Sequence, residues 1–150
     1  MKSRGHARHG ARRQALQVLY QLDVNGQTTP TTALYHFERY FTETTTEEKG
    51  VVDPFATELV LGVVKNRDTI DREIDQMSAA WKLFRMPAVD RNILRLGVFE
   101  LRHRQDIPAT VTINEMVELA KEFGSENTAA FVNGVLDRIR QEGLPDGKAP

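Results

Sequence analysis

The chain has 150 residues and a formal net charge of -1, yet residues 1–13 carry +5 and the remainder -6. It has no cysteine, which excludes disulfides, thiolate catalysis and cysteine-bound zinc, and no eighteen consecutive apolar residues, which excludes a membrane-spanning helix. A domain of this length buries roughly 70% of its unfolded surface without staples, and a basic N-terminus lacking an apolar stretch is no signal peptide, which fits a cytoplasmic protein.

Residues 1–10 read as a flexible basic arm, and a basic arm on an acidic body suggests a nucleic-acid contact at one end. The plain alternative is a solvated tail. The first helix is expected from near His9–Ala11 to about Val24, with Ala15, Val18, Leu19 and Leu22 facing inward. Arg13, Gln17, Tyr20 and Val24 share a neighbouring face, where an arginine can neutralise a phosphate and a tyrosine can stack on a base. A tyrosine resting its ring on the core is the commoner use of such a position. Asn25-Gly26 ends the helix.

Pro30 fits the first turn of a second helix striped by Leu34, Phe37 and Phe41, and residues 42–50 read as an exposed loop. Asp53-Pro54 is a cap followed by proline at the first helical position. The segment FATELVLGVVKN is apolar nearly all round and predicts a central, buried helix. Asp68 or Thr69 then caps a helix whose Ile70, Ile74, Met77, Trp81 and Phe84 form a core stripe. AVDRNILRLGVFELRHR, after Pro87, places Ile93, Leu94, Gly97, Val98 and Leu101 inward, with Arg91, Arg95 and Arg102 on another side. Glu100 and Arg104, four apart, can pair.

Beyond Pro108 lies a helical hairpin. Thr112 and Glu115 stand at capping-box spacing, and Ile113, Met116, Val117 and Ala120 form one apolar face. Gly124 closes this helix as a left-handed residue. Phe131, Val132, Val135, Leu136 and Ile139 stripe the next, and Lys121, Asn127 and Asn133 gather near the junction. Residues 11–142 thus read as a single all-helical domain of seven segments, with 143–150 a disordered tail.

No dinucleotide fingerprint or GxxxxGK loop is present. His6 and His9 lie in the arm, while His36 and His103 fall on presumed surfaces, so no metal site is expected. Asp71 with Asp75, and Glu118 with Glu122, stand one turn apart, a spacing that usually marks a solvated face. No catalytic residue and no cofactor are expected.

In sequence order, ARRQALQVLYQLD, FATELVLGVV, TIDREID, DRNILRLGVFEL, TINEMVELAKEFG and FVNGVLD resemble the NusB family of bacterial transcription antitermination factors over residues 11 to 140. The resemblance implies an all-α fold of about seven helices in two roughly perpendicular three-helix bundles. It also implies a non-catalytic, cofactor-free protein that binds boxA RNA together with NusE, a small-subunit ribosomal protein. The complex would act with RNA polymerase on ribosomal RNA operons. Carried onto this chain, the RNA surface implied is Arg8, Arg12, Arg13, Tyr20, Lys121, Phe123, Asn127 and Phe131, with Asp90 facing NusE. The arginines here are more dispersed than a compact RRR run, and Ala129-Ala130 replaces residues that are often polar. A homodimer that masks the RNA surface is a further possible partner state. The same fold also occurs as the N-terminal domain of some RNA cytosine methyltransferases; that reading needs a methyl-donor domain, and the chain stops at Pro150. A helical adaptor that binds only protein is a third reading, against which the basic arm favours RNA.

Overall fold

The computed structural model describes residues 4–26, 29, 31–33, 35, 53–78 and 80–150. Among these the fold is all-α, with no strand. Helix α1 spans Arg4–Asn25, α2 Pro54–Lys65, α3 Arg67–Met77, α4 Ala88–His103, α5 Ala109–Phe123 and α6 Thr128–Glu142, with a 3-10 turn at Leu83–Arg85. Residues 31–33 and 35 are also helical; the rest of the expected 30–41 helix and the 42–50 loop lie outside the described residues. The chain forms two compact units, Met1–Val64 and Lys65–Pro150.

In the first unit α1 begins at Arg4, earlier than the expected His9–Ala11. Ala11, Ala15, Leu16, Val18 and Leu19 are buried along it. Gly26 ends the helix at φ 75°, a left-handed conformation that costs glycine nothing, and its amide bonds Leu22 O at 3.0 Å. Asp53 caps α2 as expected, its Oδ1 accepting the Phe55 amide at 2.8 Å. The Asp53 amide in turn donates to Gln14 Oε1 at 3.0 Å, which ties the start of α2 to α1. Leu59, Val60 and Val63 are buried but Leu61 is exposed, so α2 has an outer face that its apolar sequence did not announce.

In the second unit α4 is the central element, packed by α3, α5 and α6. Every residue from Asn92 to Leu101 is buried, charged ones included. Gly97 permits the close approach of α6: a Cβ there would stand 2.8 Å from the Leu136 methyls. Arg95, on another side from the apolar stripe, is buried as well. Its guanidinium forks onto Asp71 at 2.8 and 3.1 Å and bonds Asn92 Oδ1 at 3.0 Å. Arg102 holds Glu73 and the Gly143 carbonyl. Glu100 accepts from Thr112 Oγ1 at 3.0 Å, while Arg104 forks onto Asp106.

Three local expectations change. Helix α3 stops at Met77 instead of running on to Phe84, because side chains take over the backbone groups. Ser78 Oγ donates to Trp81 O at 2.6 Å, and Asp75 Oδ1 accepts the Leu83 amide at 2.8 Å. Helix α5 starts at Ala109, and Thr112, fully buried, spends its hydroxyl on Glu100 instead of a capping box. Gly124 is extended at φ -92°, not left-handed. It is small because an added Cβ would lie 2.6 Å from Thr128 Cβ.

The segment after α6 returns to the body. Lys148 is 8% exposed, and its ammonium donates to the carbonyls of Glu100 at 2.8 Å and Arg104 at 2.6 Å, at the end of α4. A cation there opposes the negative pole of the helix. The Ala109 amide donates to Ala149 O at 3.0 Å. Burial pulls the Lys148 pKa below its ordinary value, partly offset by Glu100 and Asp106.

Candidate nucleic-acid interface

In the first unit, Arg8 and Arg12 stand one turn apart on α1, and both guanidiniums lie over the Phe55 ring, at 5.1 and 5.4 Å from its centroid. Such contacts contribute about 0.5–2 kcal/mol, most when desolvated. Arg12 is only 1% exposed, so it belongs to the packed body and does not extend freely from an arm. Arg13 and Arg8 are half-buried. Tyr20 is 42% exposed, the presentation a stacking residue needs.

In the second unit, the turn between α5 and α6 gathers Lys121, Phe123, Asn127 and Phe131. Lys121 is exposed and pairs with Glu118 at 3.4 Å, a solvated contact that leaves it easy to redirect. Asn127 opens α6 without using its side chain as a cap, and that side chain is exposed. Phe123 is half-buried. Phe131 is half-buried too and meets Trp81 edge-on, ring centroids 5.2 Å apart, so much of its ring is committed to packing.

Asp90 is not at the surface. It is 4% exposed, in the first turn of α4, and Thr128 Oγ1 lies 3.2 and 3.4 Å from its carboxylate oxygens. The same hydroxyl accepts the Ser125 amide at 2.9 Å. Burial raises the Asp90 pKa above 3.8, against the lowering effect of the Thr128 bond and its own amide. The Asp90–Thr128–Ser125 relay therefore pins the hairpin turn to the start of α4.

The sequence reading missed the turn at Trp81–Met86. It counted Phe84 as core, yet the ring is 73% exposed. The signal was present: Lys82 and Arg85 flank it, and no acid lies between Gln76 and Val89.

Among the described residues no group of three histidine, cysteine, aspartate or glutamate side chains could hold a metal ion. No helix there is long and apolar enough to cross a membrane. The fold and these side chains define an all-α protein whose candidate residues, in each unit, are basic and aromatic. A model described as the NusB family matches residues 9–141, and the chain belongs to the NusB family. It is 50% identical over 137 residues to the transcription antitermination protein NusB of Myxococcus xanthus (strain DK1622), covering 89% of this chain and 94% of that protein. The counterpart in Bacillus thuringiensis (strain Al Hakam) is 42% identical over 133 residues, covering 89% and 96%. Among solved structures, T. maritima NusB superposes with a TM-score of 0.78 at 34% identity, covering 97% of this chain and 96% of that one. A crystal structure of antitermination factors NusB and NusE in complex with dsRNA superposes at 0.75 and 29% identity, covering 91% and 98%.

Proposed function

We propose that this chain is a non-catalytic, cofactor-free transcription antitermination factor that binds boxA RNA together with NusE. The observation that carries the reading is family membership over nearly the whole chain, joined to a similar structure solved with both NusE and RNA. The side chains support it. Arg8, Arg13 and Lys121 supply phosphate contacts, and Tyr20 supplies a stacking face. Phe123, Asn127 and the free rim of Phe131 are the further candidates on the second unit. Arg12 serves from inside, by fixing α1 over Phe55. Asp90 acts on the NusE side as a positioning residue that sets the hairpin turn. The setting is cytoplasmic, in an antitermination complex with RNA polymerase on ribosomal RNA operons. A homodimer would be a form that withholds this surface.

The test is a titration of labelled boxA RNA and a scrambled control, with and without NusE. Three phosphate contacts on a single strand give a slope of log affinity against log salt of roughly -2. Replacing Arg8 and Arg13 by Ala should flatten it by about one to one and a half units. Preference for boxA should largely persist, because phosphate contacts position a strand while base contacts specify it. Equal affinity for both RNAs, unchanged by NusE, would remove the reading.

A further inference from the structure

The turn between α3 and α4 carries an aromatic surface that the functional reading does not use. Phe84 is the most exposed of the large hydrophobic side chains among the described residues, at 73%. Its exposure is built, not accidental. On either side of it Leu83 and Met86 are buried, at 7% and 3% exposure. The Leu83 amide is held by Asp75, the Met86 amide bonds Leu83 O at 3.1 Å, and Arg91 Nη1 donates to Met86 O at 3.0 Å. These anchors fix the 3-10 turn and leave the Phe84 ring pointing into solvent. An apolar ring kept in water by a rigid frame has a cost that a binding partner can recover.

The charge around the ring states what kind of partner. Lys82 and Arg85 are both exposed, and neither has a carboxylate partner among the described residues. The Arg85 guanidinium lies 5.6 Å from the Phe84 centroid, over one face, which leaves the other face open. A protein interface favours aromatics and arginine but disfavours lysine. A lone ring between two unneutralised cations fits a single strand of nucleic acid better, since every base has a face to stack and phosphates flank it. The neighbouring Trp81 touches Phe131, one of the side chains proposed above for RNA, so the turn adjoins that part of the hairpin.

We propose that the Trp81–Met86 turn is a second contact for single-stranded RNA, in which a base stacks on Phe84 while Lys82 and Arg85 hold the adjoining phosphates. The inference rests on the RNA-binding reading and extends it along the strand beyond boxA. It predicts that RNA longer than boxA binds more tightly than boxA alone, and that the gain belongs to this turn.

The experiment compares labelled boxA RNA with the same RNA extended at either end by a uridine tract. Wild type, Phe84→Ala and a Lys82→Gln/Arg85→Gln variant are each titrated, with NusE present. Loss of one stack should weaken the extended RNA roughly five- to 150-fold and leave the short RNA unchanged. Loss of two cations should flatten its salt slope by about one and a half units. Trp81 is the only tryptophan, so the extended RNA should change its emission in wild type and less in Phe84→Ala. Melting curves should be alike, because so exposed a ring contributes little to the core. If wild type binds no RNA, the functional reading falls and this inference with it. If wild type binds and Phe84→Ala matches it on both RNAs, the inference alone falls. A Phe84→Ala variant that loses NusE affinity but keeps the extended-RNA gain would show that the turn faces protein, and would overturn it too.

Discussion

At the scale of the residue, the Thr128 hydroxyl is the most heavily used group near the hairpin. It faces both Asp90 oxygens and takes the Ser125 amide. Thr128→Val keeps the shape and removes the hydroxyl, stranding a buried carboxylate and an amide. An unmet buried partner costs about 1–3 kcal/mol, so thermal or urea unfolding should register a loss of that size, and Thr128→Ser should recover most of it. Asp90→Asn tests the charge separately. The raised Asp90 pKa means the folded state holds this proton more tightly than the unfolded chain. Its contribution to stability is therefore greatest below 3.8 and declines as pH rises through the folded-state pKa. Asp90→Asn should abolish that component of the pH dependence and, with its amide oxygen still able to accept from Thr128, unfold no more easily than wild type at neutral pH. A marked loss of stability in Asp90→Asn would show that the negative charge itself is needed.

At the scale of the element, α4 decides the second unit, and its buried arginine is the test of how. Arg95 is 5% exposed at its side chain and Asp71 22%, joined by a forked bond from α4 to α3. Asp71→Ala would leave a buried guanidinium without its carboxylate, at a cost of about 3 kcal/mol, the lower end for a broken buried pair. An Asp71→Ala variant whose unfolding midpoint matches wild type would mean that water replaces the carboxylate at no cost. This pair also shows where a single sequence stops being legible. Apolar spacing correctly assigned Ile93, Leu94, Gly97, Val98 and Leu101 to the inner face of α4, and Asp53-Pro54 and Asn25-Gly26 marked true helix ends. Those signals are local. Whether Asp71 faces water or Arg95 depends on a residue 24 positions away, and period alone cannot report it. The same blindness sent Phe84 to the core. Its spacing continued the α3 stripe, but the Ser78 and Asp75 side chains had already ended the helix. Of the candidate surface, Tyr20, Lys121 and Asn127 are exposed as their polar neighbours suggested, whereas Arg12 and Asp90 are buried by partners on other elements.

At the scale of the molecule, the returning segment around Lys148 has a consequence for how the protein can be watched. The amides in the first turn of a helix normally face solvent, since they have no partner within the helix. The Ala109 amide of α5 is an exception, because it is bonded to the Ala149 carbonyl. Its hydrogen should exchange with deuterated water slowly while the segment is seated and rapidly once it lifts, so one resonance reports a local opening equilibrium. Lys148→Met removes the ammonium from the Glu100 and Arg104 carbonyls, and should speed exchange at Ala109 while amides deep in α4 keep their protection. Equal exchange at Ala109 in both proteins would mean that the ammonium has no part in the seating. Seen this way, the end of α4 and the beginning of α5 share a single clasp, and its dwell time can be read at one backbone position without a probe being added.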